Sequence, residues 1–236
     1  MKIEVLYPEI CCLFGDKANA RYLNECMKEH EFIYTALSEE PAFVKEDVAM
    51  IYVASMSESS QEMVIDILMQ YRDRLAELIE KGCTILATGN AFEIFGEKIV
   101  TERGEEVKAL DLVPIWTKCQ IPLRSNSLYL GSFEEDIKIV GYSSRFANSY
   151  YKEGAEVLFH GEKGFGMNLE DTNEGVRFHN FFGTHLLGPF LIENPKFTLY
   201  LQKLMGVEEP RLAYEETILA AYDIRLKEHQ SDIEFE

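Results

Sequence analysis

One run constrains the fold of this chain more than any other: Cys83-Thr84-Ile85-Leu86-Ala87-Thr88-Gly89-Asn90-Ala91-Phe92-Glu93-Ile94-Phe95-Gly96. Cys83 to Ala87 is a short apolar run of the kind that becomes a buried parallel strand. Thr88-Gly89-Asn90 punctuates it, and Ala91 to Phe95 resumes in a helix-compatible spacing. Strand, sharp turn and helix in that order form a nucleophile elbow. The turn lifts one side chain above a sheet and points nearby backbone N–H groups at any oxyanion formed there. In a working elbow the lifted residue is Ser or Cys. Here the apex is Gly89, which has no side chain to react.

The chain before the elbow supplies the sheet. Lys2 to Tyr7 reads as a strand ended by Pro8, and Asp16 is placed to cap a helix carrying Tyr22, Leu23, Cys26 and Met27. Glu31 to Leu37 and Val48 to Ala54 are further strands. From Ser59 or Ser60 a long helix shows Met63, Val64, Ile67, Leu68, Tyr71, Leu75, Leu78 and Ile79 on one face and stops at Gly82. This alternation predicts a parallel sheet covered on both faces.

Beyond Gly96 the texture changes to short β-type runs, Leu110 to Trp116, Ser127 to Leu130, Ile137 to Tyr142 and Glu156 to Phe159, separated by glycines. They predict antiparallel pieces decorating the sheet. Gly161-Glu162-Lys163-Gly164-Phe165-Gly166 lacks the spacing of a phosphate-binding loop and reads as a tight turn. Val176 to Phe182 reads as one strand, Asn194-Pro195 opens a helix ending at Gly206, and a last helix covers about 211–228 before an acidic tail, 229–236.

Composition narrows the function. With 41 acidic against 23 basic residues, the formal net charge is −18, which argues against nucleic acid or an anionic membrane as partner. No apolar run approaches the ~18 residues of a membrane span, and the N-terminus enters a strand pattern without a signal peptide. Five cysteines without CxxC spacing fit reduced cytosolic thiols, so a cytoplasmic location is expected. The five histidines are scattered, so no metal and no cofactor is expected.

Three blocks resemble one family. Tyr7-Pro8-Glu9 running on to Phe14-Gly15-Asp16-Lys17-Ala18-Asn19 is similar to the opening Tyr-Pro…Tyr-Gly-Asp-x-x-Asn of class I glutamine amidotransferase domains of the cobyric acid synthase (CobB/CobQ) type. The elbow is similar to that family's Gly-x-Cys-x-Gly-x-Gln. Gly183-Thr184-His185-Leu186-Leu187-Gly188-Pro189 with Asn194-Pro195 is similar to its Gly-Thr-Tyr-x-His-Gly-Pro…Asn-Pro. Gly164-Phe165-Gly166-Met167-Asn168 and Glu174-Gly175-Val176 look like two shorter blocks between them. Within the family, the blocks resemble those of the glutaminase subunits of lipid II isoglutaminyl synthase.

The resemblance implies a flavodoxin-like α/β fold, a mostly parallel doubly covered sheet with a β-rich insertion, as one unit over 1–236. In the family the elbow Cys attacks the glutamine amide and the His before Gly-Pro is its base. A thiol nucleophile needs such a base within hydrogen-bond reach. Carried over residue by residue, the nucleophile position falls on Gly89 and the base position on Leu187, with Glu93 at the family Gln. Both halves of the catalytic pair are missing, so no catalytic residue is intact.

Ligand-pocket candidates are Asn90, Glu93, Arg124 and His185. Asn90 also serves the turn, Glu93 suits an ion pair, and His185 lies two residues from the base position. Arg124 lies where the family places an Arg near the glutamine pocket, and its fork suits a carboxylate. His179, inside the Val176 to Phe182 strand, reads as structural. The resemblance therefore implies a non-catalytic binding or scaffolding subunit for an ATP-dependent Mur-ligase-like synthetase, with glutamine or a related small molecule as possible ligand. The alternatives are an amide or ester hydrolase or amidotransferase using altered residues of the same pocket, or a glutaminase with a relocated thiol at Cys83 or Cys119.

Overall fold

The structure is a computed structural model that describes residues 1–134 and 136–231. The predicted acidic tail lies outside the described residues from 232 onward. The strand and helix order is β1 (Lys2–Leu6), α1 (Lys17–Cys26), β2 (Glu31–Thr35), α2 (Ala42–Lys45), β3 (Met50–Val53), α3 (Glu58–Met69), α4 (Arg72–Glu80) and β4 (Thr84–Thr88). There follow β5 (Lys98–Val100), β6 (Glu106–Lys108), β7 (Ile115–Cys119), β8 (Ser125–Phe133), β9 (Ile137–Arg145), β10 (Ala147–Tyr151) and β11 (Glu156–Lys163). The chain continues through β12 (Glu174–Phe178), β13 (Phe181–Thr184), α5 (Phe190–Glu193), α6 (Pro195–Leu204) and α7 (Glu215–Gln230).

A nine-stranded sheet runs β2-β1-β3-β4-β13-β12-β11-β8-β9. Its first five strands are parallel and the rest antiparallel. β3 and β4 are buried at every residue, as a strand covered on both faces requires. The crossover from β1 to β2 moves one way along the sheet and that from β3 to β4 the other. Right-handed connections therefore put α1 on one face and α3 and α4 on the opposite face. The β-rich stretch divides: β8, β9 and β11 extend the main sheet, while β10, β7, β5 and β6 form a separate four-stranded sheet. The expected α/β architecture with a β-rich insertion is thus present, with an antiparallel wing as part of the main sheet.

Four local expectations are corrected. The long helix after Ser59 is two helices. Ser57 caps α3 by accepting the Ser60 N–H on Oγ, and helical geometry breaks at Tyr71, whose ring packs edge-on against buried Phe43. The single strand Val176 to Phe182 is a hairpin: His179, at φ 54°, and Asn180 make the turn, so β12 runs antiparallel to β13. His179 is therefore a half-exposed turn residue 3.6 Å from Glu80, not a strand residue. The run Leu110 to Trp116 becomes a strand only from Ile115, since Leu110 to Val113 instead bond back to Ile94, Phe95 and Gly96. Asp16 makes no side-chain cap; its buried carboxylate accepts the Ser55 N–H at 2.8 Å.

Asp16 is the joint between the first and third sequence blocks. A Cβ added at Gly188 would lie 2.5 Å from the Asp16 backbone nitrogen, so only glycine permits the two loops to touch. Asn19 reinforces the contact, donating to Asp16 Oδ1 at 3.2 Å and accepting the Leu191 N–H at 2.9 Å. Burial raises the Asp16 carboxyl to about 6 against the hydrogen bonds that favour its anion. These bonds fix the loop after β3, the elbow after β4 and the loop after β13 side by side at the carboxyl ends of the parallel strands. That is where open α/β sheets place their ligands.

Candidate functional site

The elbow keeps its geometry. β4 ends at Thr88, Gly89 takes φ +60°, and the chain turns into a 3-10 helix over Gly89–Phe95. The expected helix is thus of the tighter type, and Phe92 seats its first turn against β13, where a Cβ on Gly183 would come within 2.7 Å of Phe92 Cβ.

The space above the apex is taken. A Cβ built on Gly89 would lie 2.5 Å from Ser55 Cβ and 3.2 Å from Leu187 Cδ2. Contacts below 3.0 Å between carbons held by backbone are not tolerated without movement. The backbone donors of the loop after β3 are also engaged. The Ser55 N–H bonds Asp16, and the Met56 N–H bonds Asn90 Oδ1 at 3.0 Å while Asn90 Nδ2 returns a bond to Met56 O at 2.8 Å. Both of these amides point at side chains.

A cleft of about 180 Å³ opens at the apex, lined by Gly89 itself, by Met56, Ile99, Val107 and Leu187 and by polar Glu93, Arg124, Arg145 and His185. Asn90 lines it while stapling the turn to the loop after β3. Arg124 is exposed at its mouth, with the guanidinium 4.3 Å over the Phe146 ring. Glu93 and His185 come together as a buried pair, Oε1 to Nε2, at 3.8 Å.

His185 is enclosed. Its Nδ1 faces Glu174 Oε2 at 3.2 Å, its Nε2 lies 3.4 Å from Ser149 Oγ, and Phe92 meets its ring edge-on. With a carboxylate against Nδ1, the ring proton belongs on that nitrogen. Burial and the nearby Arg145 charge lower its basicity to about 4 against the pull of Glu174, so it is neutral at pH 7. Glu174 Oε1 also accepts the His185 N–H at 2.6 Å and the Thr184 hydroxyl at 2.9 Å. Burial alone would raise this carboxyl, but the donors of His185 and the charge of Arg145 hold it below the usual range.

Arg145 is the residue that sequence reasoning missed. It closes β9 on the same face as buried Ile139, Gly141 and Ser143, so its guanidinium points inward. Among the described residues none of its three nitrogens has a hydrogen-bond partner, and Glu174 Oε2 lies 4.0 Å away. Glu93 Oε1 is likewise unpartnered, while Oε2 accepts from Gln61 Nε2 at 2.9 Å. The signal available was positional: a charged residue on the inward parity of a strand, visible only once β9 is extended past Tyr142.

At both relocated-thiol positions burial favours the protonated thiol. Cys83 is buried at the start of β4 with its Sγ against Val48 O, and burial pushes its thiol up to about 12. Cys119 lines the cleft, and burial raises its thiol too, the wrong direction for a thiolate nucleophile. Among the described residues no group of three His, Cys, Asp or Glu side chains is placed to hold a metal, and no helix is long and apolar enough to cross a membrane.

Burial raises the Glu93 carboxyl to about 7, with Gln61 and Arg145 opposing. A carboxyl whose folded pKa exceeds its unfolded value favours the protonated native state. Its contribution is full below about pH 4.5 and lost as pH rises through about 7. We therefore expect Glu93→Gln to be more stable than the parent above pH 7 by about 3 kcal/mol at most, and equal to it below pH 4.5. Denaturant midpoints of both proteins across pH 4 to 8 check this. The comparison is needed because neutral His185 contributes with the opposite sign over an overlapping range.

This architecture, with an elbow at the carboxyl end of a parallel strand and a cleft beside it, is that of glutamine amidotransferases. A solved glutamine amidotransferase superposes with a TM-score of 0.54 at 18% identity, covering 87% of this chain and 99% of its own. Another, from Thermotoga maritima, gives 0.50 at 12% identity over 98% of this chain and 94% of its own. The CobB/CobQ-like glutamine amidotransferase domain model matches residues 2–195, and the chain belongs to that family. Two of its relatives are the GatD subunits of lipid II isoglutaminyl synthase (glutamine-hydrolyzing). The Staphylococcus aureus protein is 25% identical over 191 residues, 80% of this chain and 77% of the relative. The Streptococcus pneumoniae protein is 24% identical over 237 residues, 92% of this chain and 87% of the relative.

Proposed function

We propose that this chain is a non-catalytic member of its family, the counterpart of the glutaminase subunit of a lipid II isoglutaminyl synthase. In this reading it works in the cytoplasm on the peptidoglycan pathway, binding and shaping an ATP-dependent Mur-ligase-like synthetase rather than feeding it ammonia. The observation that carries the reading is the occupied apex: the place of a nucleophilic side chain over Gly89 is taken by Ser55 and Leu187. Engagement of the Ser55 and Met56 amides adds to it, since an acyl transfer intermediate needs free donors. Loss of the nucleophile and base removes most of a covalent mechanism's rate advantage.

The second reading, altered hydrolytic chemistry in the same cleft, draws less support. Asn90 is spent on the turn, His185 is enclosed with its basicity lowered to about 4, and the Ser149 hydroxyl 3.4 Å from its Nε2 is buried and shared with Thr117 Oγ1 at 2.8 Å.

Co-expression with the Mur-ligase-like synthetase of the same cell tests the proposal. The expected result is co-elution as a stable complex with no ammonia released from glutamine above the blank. A chain that elutes alone and unbound removes the scaffolding role. Ammonia release that disappears on Cys119→Ser restores the glutaminase reading instead.

A further inference from the structure

We infer that the cleft is a carboxylate-binding site in which Arg145 and Glu93 hold the ligand's carboxylate between them. The inference rests on the reading of this cleft as one released from glutamine hydrolysis. Its starting point is a pair of buried polar groups without hydrogen-bond partners, on two residues that line the cleft. Arg145 presents three buried nitrogens without a hydrogen-bond partner among the described residues, and Glu93 presents one such oxygen. Both residues line the same cleft. A buried guanidinium left unmet costs several kcal/mol, and the fold keeps it although Glu174, its nearest anion, stays 4.0 Å away.

The donor pattern selects the ligand. A guanidinium fork matches the two oxygens of a carboxylate, and a protonated Glu93 adds a third donor to the same group. An amide would offer the fork a single oxygen. A phosphate dianion would bring two negative charges beside Glu174 against one guanidinium. The ligand's body lies against Met56, Ile99 and Val107, which calls for a short methylene chain. Arg124 at the mouth is available to a second acidic group. The unpartnered atoms of Arg145 and Glu93 are buried, so binding includes a turn of the Arg145 side chain into the cleft.

Binding an anion here takes up a proton at Glu93, and affinity falls as pH rises. The charged and titratable groups around Glu93 are Glu58 on α3, Arg145 on β9, His185 behind β13 and Cys119 on β7. Of these, His185 is already neutral at pH 7, which leaves Glu93 as the group that accepts the proton near pH 7.

Calorimetry and thermal shift with glutarate, its diamide glutaramide and inorganic phosphate test this on the intact chain. Glutarate is expected to bind at least ~30-fold more tightly than glutaramide, and phosphate not to displace it. Affinity should fall about tenfold per pH unit above pH 7, and Glu93→Gln should bind glutarate without that slope. Arg145→Gln should abolish binding, and Arg145→Lys, which keeps the charge without the fork, should weaken it. Equal affinity for glutaramide, displacement by phosphate, no glutarate binding at millimolar concentration, or unchanged binding by Arg145→Gln each overturns the inference. Should Arg145→Gln fail to fold, the ligand series on the parent and on Arg145→Lys still decides. None of these outcomes touches the ammonia assay, so the two readings fail separately.

Discussion

Replacing Glu174 by Ala is expected to lower stability by about 3–5 kcal/mol, the largest effect of any single change considered. Glu174 is fully buried and accepts from the Thr184 hydroxyl, the His185 backbone and the His185 ring, and it is the nearest anion to the buried Arg145. Removing one partner of a buried ion cluster leaves an uncompensated charge, and the penalty comes mainly from that orphan rather than from the lost attraction. Three donors at the start of the loop after β13 lose their acceptor in the same step. Glu174→Gln, which keeps an oxygen for the Thr184 and His185 donors, should cost less than Ala. Denaturant unfolding of the three proteins at pH 7 checks the ranking. If Ala and the parent unfold together, the cluster contributes nothing and Arg145 is solvated in some other way.

The second large effect concerns attempts to restore catalysis. The double variant Gly89→Cys with Leu187→His rebuilds the pair that the family uses, yet we expect no ammonia release from glutamine. We expect it also to unfold about 3–4 kcal/mol more easily. A side chain at φ +60° costs about 1 kcal/mol or more. A Cβ 2.5 Å from Ser55 Cβ adds an overpacking cost of about 1–3 kcal/mol. Adding Ser55→Gly deletes the clashing carbon and should recover part of the loss, leaving activity absent because the Ser55 and Met56 amides remain bonded to Asp16 and Asn90. Glutaminase activity in the double variant would mean that the loop around the apex gives way to a side chain at Gly89 and that its amides become free.

A consistent picture joins these expectations. The family's elbow survives as a fold element because Gly89 adopts the turn with less strain than a thiol residue would. What fills the elbow differs: Ser55 and Leu187 close the space over the apex, and the polar groups lie deeper, at Glu93, Arg145, Glu174 and His185.

The sequence by itself determined the parallel core, because β3 and β4 are covered on both faces and such strands read as uninterrupted apolar runs. It also determined the absence of a thiol at Gly89 and of an imidazole at Leu187, since a motif of fixed order exposes a missing member directly. Tertiary structure alone decided the rest. The hairpin at His179 and Asn180 was invisible because Val176 and Phe178 lead on to Phe181 and Phe182 across a turn that carries no glycine or proline. The filling of the apex depends on Ser55, distant in sequence and brought there by the Asp16 hydrogen bond. Arg145 and Glu174 stand 29 residues apart and meet because β9 ends and β12 begins at the same end of the main sheet, where strand order rather than spacing along the chain sets which charges are buried together. The residues at the elbow's positions were legible in the sequence, while its occupancy, and the buried charges near it, belong to the packing.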